Sequence, residues 1–174
     1  MLLLTNGDSF TAGVELEDTS LSWPYLVAQE LGYAVDNLAE PGASNDYIVR
    51  TTVEYLDNSQ PDLCIIAWTT PDRIELSRKH CTPNTSPDIF RTWDSDWARS
   101  KYSAQVKLLD RYVRVPKVFC TTWDEPIQTD CYAGRLVEWA YGAPQGPNGH
   151  PLEQGHKQIA KNIVRYIKDR QLTL

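Results

Sequence analysis

The sequence predicts an α/β fold: a three-layer α/β/α sandwich with a central parallel sheet of about four to five strands. Short apolar runs, typical of strands, alternate along the chain with stretches of helical periodicity. The strand segments are apolar almost throughout, which is typical of parallel strands that helices cover on both faces. The 174 residues are enough for one hydrophobic core and too few for two, so we expect a single domain over residues 1–174.

The first half of the chain contains two predicted strands, each followed by a predicted helix. The apolar run MLLLT stops at the turn-forming residues NGDS, which indicates a buried strand. SWPYLVAQELG has a serine cap, a proline in the first turn and a closing glycine, which together predict a helix. YAVDNLA predicts the second strand, and SNDYIVRTTVEYLDN, which opens with capping residues, predicts the second helix.

The middle of the chain gives the strongest strand signal and then loses its periodicity. DLCIIAWTT is apolar on both faces, as expected for a central strand of a parallel sheet. Residues 77–98 are polar and rich in turn formers. A long segment without periodicity is usually an active-site flap or a loop, so we predict one over 77–98.

The last third of the chain predicts two helices and a strand. Apolar side chains recur at helical spacing at Tyr102, Val106, Leu109 and Val113. KVFCTTW predicts a fourth strand, whereas residues 124–148 fit no single element. The final helix extends from about residue 151 to 169, and His156 belongs to its apolar stripe. We therefore expect His156 in the core or at its boundary.

Composition and charge exclude several classes of partner. Hydrophobic residues make up 41% and charged residues 23% of the chain, as in ordinary globular proteins. The formal net charge of −6 provides no basic field for nucleic acid or for an anionic membrane surface. No apolar run approaches the roughly 20 residues of a membrane span, and the N-terminus lacks the basic leader of a secretory signal. We therefore expect a cytoplasmic protein without nucleic-acid or membrane partners.

Motifs for metal and cofactor binding are absent from the sequence. The four cysteines form no CxxC pair, and Cys64 and Cys120 lie in apolar runs, as buried thiols do. The glycine patterns of dinucleotide and P-loop sites and the zinc motif H-E-x-x-H are missing. The G-x-S-x-G elbow of α/β-hydrolases is missing as well. We expect no metal and no cofactor, and the candidate reactive groups are Ser9 after the first strand and His150 before the last helix.

Four sequence blocks resemble those of the SGNH, or GDSL, hydrolases. NGDSFTAG is similar to their first block and LAEPGASND to their second. IIAWTTPDR stands where their third block lies, and PNGHP resembles their last. The blocks occur in the family's order and cover nearly the whole chain, and the compact sequence resembles SGNH-like proteins of bacteriophages. The resemblance implies a flavodoxin-like SGNH fold and ester hydrolysis, with virion association if a phage encodes the protein.

The resemblance assigns a role to each matching residue. Ser9 is the nucleophile and His150 the general base. The backbone N–H groups of Ser9 and Gly42 form the oxyanion hole, and the reaction needs no cofactor. Asp8 is then structural and braces its loop through hydrogen bonds to backbone N–H groups.

Two positions depart from the family pattern. Thr69 stands in place of the third-block asparagine, so a hydroxyl rather than an amide is the side-chain donor to the oxyanion; Thr70 takes this place if the register shifts by one. Asn148 stands in place of the triad aspartate. Three arrangements are open: Asn148 orients His150 through its side-chain oxygen, another carboxylate such as Asp124 or Glu153 replaces the aspartate, or the site is slow or inactive.

Further residues near the predicted site are candidates for substrate contact. Asn45 caps the second helix, and a substrate contact is as well supported as a purely structural role. Asp8, Trp68 and Thr70 lie at the same predicted sheet edge. Aromatic faces there would suit a sugar, although core packing is the more frequent role of tryptophan.

These observations favour a serine esterase that removes a small acyl group, such as an acetyl group from a carbohydrate. The alternative is a binding or virion-associated module that kept the fold while its site decayed, and both departures from the family pattern favour it. A lysophospholipase-like activity has less support, because the sequence shows no long apolar substrate channel. The sequence leaves the oligomeric state open.

Overall fold

The computed structural model describes residues 1–77, 79–82, 87–123 and 127–172. Its strands are β1 (Leu2–Asn6), β2 (Ala34–Asn37), β3 (Leu63–Trp68), β4 (Ile74–Leu76), β5 (Lys79–Cys81), β6 (Lys117–Thr121) and β7 (Tyr132–Arg135). Its helices are α1 (Ser9–Ala12), α2 (Trp23–Leu31), α3 (Asn45–Leu56), α4 (Pro87–Thr92), α5 (Ser95–Tyr112), α6 (Leu136–Trp139) and α7 (Glu153–Asp169). None of the helices in these ranges combines the length and apolarity that crossing a membrane requires.

Five strands form one parallel sheet in the order β2-β1-β3-β6-β7. The remaining two, β4 and β5, pair as a small antiparallel hairpin. Strand β3 lies in the centre and is buried along its whole length, which explains why its sequence is apolar on both faces. The predicted α/β fold with a central parallel sheet is therefore confirmed.

Helices cover both faces of the sheet and enclose two apolar clusters. On one face, Leu63 and Ile65 of β3 pack with residues of α2, α6 and α7. On the other face, Cys64, Ile66 and Trp68 pack with residues of α3 and α5. Because successive side chains of a strand point to opposite faces, β3 contributes to both clusters in alternation.

Two segments are more ordered than the sequence predicted. Within 77–98 lie β5, α4 and the first turn of α5, while residues 78 and 83–86 are outside the described part of the chain. Helix α5 begins at Ser95 because the Asp94 side chain accepts hydrogen bonds from the N–H groups of Asp96 and Trp97. Its first turn buries only Ala98 and leaves Trp97 53% exposed, so the apolar periodicity becomes visible only further on. The ambiguous segment 124–148 contains β7 and α6.

Candidate active site

The loop after β1 carries Ser9 at the start of the one-turn helix α1. Asp8 caps this helix, since its carboxylate accepts the N–H of Phe10 at 3.2 Å. Gly13 ends the helix in the left-handed conformation, with φ of 78°. The residues NGDS thus end the strand and begin a helix within four positions, and this places Ser9 at the carboxyl edge of the sheet.

A second loop, after β2, brings Gly42 to the same edge. The N–H of Glu40 donates to the carbonyl of Gly7 at 3.3 Å, which joins this loop to the one that carries Ser9. Residues 40–43 form a β-turn closed by a 3.0 Å bond from Ala43 N to Glu40 O, with Gly42 at φ of 76°. Within the described ranges, the backbone N–H groups of Ser9 and Gly42 donate no hydrogen bond. Both remain available to an oxyanion.

The turn before α7 places His150 beside the loop of Ser9, although 141 positions separate the two residues. The imidazole of His150 lies against the ring of Phe10, with a centroid separation of 5.7 Å. Trp123 packs on the same phenyl ring at 5.3 Å. The described residues contain no hydrogen bond between Ser9 and His150. Catalytic hydrogen bonds often form only when substrate binds, so this absence does not by itself decide whether the two residues react together.

The carboxylate of Glu15 contacts the imidazole ring of His150. Oε2 of Glu15 lies 2.8 Å from Nδ1 of His150 and 3.1 Å from the backbone nitrogen of the same residue. Oε1 of Glu15 accepts the backbone N–H of Asn148 at 2.9 Å and its side-chain amide at 3.1 Å. The side chains of Glu15 and His150 are 10% and 18% exposed. Glu15 and His150 therefore form a shielded acid–imidazole pair of the kind that serine hydrolases use.

The backbone conformation of Glu15 and the absence of a side chain at Gly146 together accommodate this carboxylate. Glu15 has φ of 71°, a conformation that costs of order 1 kcal/mol or more for a residue other than glycine. A Cβ on Gly146 would lie 2.7 Å from Cδ of Glu15, so the glycine leaves the room that the carboxyl group occupies. Desolvation raises the pKa of Glu15, but hydrogen bonds from Asn148 and His150 outweigh it and lower the pKa below its ordinary value of 4.5. Glu15 is held as an anion.

The interpretation that Asn148 orients His150 through its side-chain oxygen is wrong. The Asn148 amide donates to Glu15, so this residue positions the acid rather than the imidazole. Glu153 is exposed and lies 3.5 Å from Lys157, so it does not replace the missing aspartate. Asp124 lies outside the described residues.

Thr69 does not have a free hydroxyl for the oxyanion. Its Oγ1 donates to Oδ2 of Asp8 at 2.9 Å and accepts from Nη1 of Arg73 at 2.9 Å. A threonine hydroxyl has a single proton, so the predicted contact from Thr69 to an oxyanion is not formed in this arrangement. Asp8 is 0% exposed and also accepts from Thr122 at 3.1 Å. Asp8 braces its loop as predicted, but through one backbone N–H, that of Phe10, and three side chains; its burial contradicts the predicted substrate contact.

The other predicted substrate contacts are occupied within the protein. Asn45 is buried; its Oδ1 accepts from Thr69 N at 3.0 Å, and its Nδ2 donates to the carbonyls of Thr69 and Thr70. The helix cap is Ser44 rather than Asn45, because the serine hydroxyl accepts the N–H of Tyr47. Trp68 is 0% exposed in the core, so its predicted substrate contact is wrong.

Thr70 and His156 also have partners inside the protein. The hydroxyl of Thr70 donates to Asp72. His156 is fully buried, as expected, and its Nδ1 accepts the N–H of Trp23 at 3.1 Å. Burial and the neighbouring His150 lower the pKa of His156 to about 4. His156 is thus a neutral core residue. No cluster of three or more His, Cys, Asp or Glu side chains within the described ranges is arranged to hold a metal ion.

Solved structures with this architecture are known. The esterase EstA from Pseudoalteromonas sp. superposes with a TM-score of 0.65 at 13% identity, over 98% of this chain and 98% of that chain. A member of the lipolytic protein G-D-S-L family from Veillonella parvula gives a TM-score of 0.58 at 14% identity, over 95% and 97%. The chain has the SGNH hydrolase fold.

A larger SGNH-fold structure is also similar. The acetyl xylan esterase Est2A from Butyrivibrio proteoclasticus gives a TM-score of 0.64 at 13% identity, and the match covers 98% of this chain and 64% of that chain. No protein-family model and no curated protein matches the sequence.

Glu15 was not predicted from the sequence, because the SGNH pattern has the triad acid next to the histidine and not in the loop after the serine. Glu15 is six positions after Ser9 in the segment GVELED, which resembles an ordinary acidic surface loop. One signal was present: a loop that follows a nucleophile at the sheet edge is itself at that edge. Its positive φ and the space left by Gly146 are visible only in three dimensions.

Proposed function

We propose that the protein is a serine esterase of SGNH type, in which Ser9 attacks, His150 transfers the proton and Glu15 orients His150. The observation that carries this proposal is the 2.8 Å contact between the shielded Glu15 carboxylate and His150 Nδ1, at the edge where Ser9 lies. The departure at Asn148 had favoured a decayed site. An acid from another loop removes that objection, because the imidazole does have a carboxylate partner.

In the proposed reaction, Oγ of Ser9 attacks the ester carbonyl while Nε2 of His150 accepts its proton. The N–H groups of Ser9 and Gly42 donate to the oxyanion. The C–O bond to the alcohol then breaks, and His150 returns the proton to the leaving oxygen. Water repeats the sequence on the acyl-enzyme, which releases the carboxylic acid and restores Ser9.

Glu15 fixes the tautomer on which this sequence depends. When Nδ1–H donates to Oε2 of Glu15, the lone pair of His150 lies on Nε2, which is the atom that must accept the proton. The same carboxylate stabilises the imidazolium formed during the attack. Asn148 contributes by donating twice to the other oxygen of Glu15.

A small acyl ester, such as a carbohydrate acetate, is the substrate class that we propose. The support comes from the fold shared with an acetyl xylan esterase and from Trp123, which is 36% exposed and packs on the same Phe10 ring as His150. Aromatic rings of this kind suit the apolar faces of sugars.

The test is hydrolysis of 4-nitrophenyl acetate by the purified protein. Wild type should release nitrophenolate, and Ser9→Ala and His150→Ala should each abolish the enzyme-dependent rate. Ser100→Ala, at an exposed position of α5, is the matched control and should keep it. An unchanged rate in Ser9→Ala would refute the proposal and favour the inactive binding module.

A further inference from the structure

A cavity of about 450 Å³ opens beside Gly42, between the 40–43 turn and the β4–β5 hairpin. Its lining includes Glu40, Gly42, Arg73, Lys79 and His80. Gly42 is the proposed oxyanion donor, so the cavity adjoins the point at which an ester carbonyl would bind. A group attached to that ester can therefore reach into it.

Arg73 is anchored in this cavity by one end of its guanidinium. Its Nη1 lies 3.1 Å from Oδ2 of Asp8 and 2.9 Å from Oγ1 of Thr69. The side chain is 20% exposed, whereas Asp8 behind it is inaccessible. In the part of the chain that the structure describes, Nη2 and Nε of Arg73 have no hydrogen-bond acceptor. Three N–H donors thus remain on a side chain that Asp8 holds in place.

Charged groups of both signs line the cavity, and the unfilled N–H donors of Arg73 distinguish the side that suits an anion. Lys79 adds a second cation at the exposed rim. Glu40 is half exposed, and its carboxylate lies 3.7 Å from Nε2 of His80. Asp8 balances the charge of Arg73 but leaves its outward donors unfilled. A carboxylate matches the planar fork of a guanidinium and forms charge-assisted hydrogen bonds with it.

We propose that this cavity binds a carboxylate of the substrate and that Arg73 is the specificity-determining residue. The substrate class is then an ester that carries a carboxylate a few bonds from the scissile carbonyl. This inference rests on the proposed esterase function, since it places the carboxylate relative to the Gly42 oxyanion donor. Nothing in the sequence had indicated Arg73, because the SGNH pattern has no role for a residue four positions after Thr69.

The first test uses the wild-type protein and two pairs of nearly isosteric esters. Monoethyl succinate is compared with ethyl succinamate for the acyl side, and 4-acetoxybenzoate with 4-acetoxybenzamide for the alcohol side. We expect kcat/KM for the carboxylate of one pair to exceed that for its amide at least tenfold, which is about 1.4 kcal/mol. The difference should lie mainly in KM and shrink as salt screens the charges. No preference in either pair would overturn the inference while leaving the esterase function intact.

The second test uses Arg73→Lys, which keeps a cation beside Asp8 but loses the guanidinium fork. The carboxylate-to-amide ratio should fall to less than about threefold. Arg165→Lys, at an exposed position of α7, is the matched control and should keep the wild-type ratio. An unchanged carboxylate-to-amide ratio in Arg73→Lys would show that Arg73 does not determine specificity. Equal losses for carboxylate and amide would do the same, because they indicate a general role at the oxyanion.

A binding measurement tests the carboxylate site independently of ester hydrolysis. If neither ester of a pair is hydrolysed, the proposed function fails, and the cavity is tested alone by isothermal titration of Ser9→Ala. Tighter binding of monoethyl succinate than of ethyl succinamate would support a carboxylate site without catalysis. Equal binding of the two, or none, would overturn it.

Discussion

At the scale of single residues, the acid that we propose for the triad is a glutamate six positions after Ser9. Glu15 makes four hydrogen bonds to Asn148 and His150 and adopts a left-handed backbone conformation. Residues in such conformations persist where the surrounding structure determines them, and they cluster at functional sites. Asn148 thus donates hydrogen bonds to the Glu15 carboxylate and does not take the place of the acid.

Glu15→Gln should lower kcat by about two to four orders of magnitude and change KM little, because an amide no longer favours the productive tautomer of His150. The measurement is steady-state hydrolysis of 4-nitrophenyl acetate. Glu17→Gln, two residues further along and exposed, is the control and should match wild type. A kcat for Glu15→Gln within threefold of wild type would show that Glu15 has no part in the reaction.

Asn148→Asp distinguishes two possible positions of the triad acid, namely position 148 and Glu15. If the SGNH pattern applied here, this substitution would create the usual triad aspartate and raise activity. In the structure, the Asn148 amide donates to Glu15 at 3.1 Å, so an aspartate would lose that bond and repel the carboxylate. We expect kcat to fall about tenfold or more. An increase in kcat would contradict the geometry described for Glu15.

At the scale of elements, the sequence predicted the segments that have a regular apolar pattern and missed those that lack one. β1, β3 and α7 occur where expected, because burial makes each of them apolar in a regular pattern. β7 was missed because it has four half-buried residues, one of them Gly134. The start of α5 was missed because its first turn depends on a cap and packs little apolar surface.

The contact between α7 and α2 makes stability depend on pH. His156 accepts the N–H of Trp23, and its pKa in the folded protein is about 4, against an ordinary value of 6.5. Between these values the unfolded chain binds a proton that the folded chain does not, so stability falls as the pH drops from about 6.5 to 4. This histidine should make the protein about 2 kcal/mol less stable to urea at pH 5 than at pH 7.

His156→Asn tests this assignment, since asparagine keeps an acceptor for Trp23 and does not titrate. The variant should show a clearly smaller loss of stability between pH 7 and pH 5. Lys161→Asn, at an exposed position of α7, controls for asparagine in the helix and should keep the wild-type dependence. If His156→Asn and wild type lose the same free energy of unfolding, the pH dependence originates elsewhere.

At the scale of the whole molecule, the parallel sheet determines which residues can react together. The loops after β1 and β2 and the turn before α7 meet at one edge, as the resemblance to the SGNH blocks implied for Ser9, Gly42 and His150. The contacts of Glu15 and Arg73 could not be predicted, because no motif marks either residue and their partners lie 135 and 65 positions away. The SGNH blocks therefore indicate which loops lie together, but they do not identify every side chain at the candidate site.

The esterase proposal requires that Ser9 is a nucleophile activated by His150 and Glu15. Its most direct test is the reaction of the protein with a fluorophosphonate, followed by intact-mass measurement and peptide mapping. We predict one adduct per chain on Ser9 in wild type, slower formation in Glu15→Gln, and none in Ser9→Ala. A wild-type protein that stays unlabelled, or a Ser9→Ala protein that labels as fast as wild type, would contradict the account.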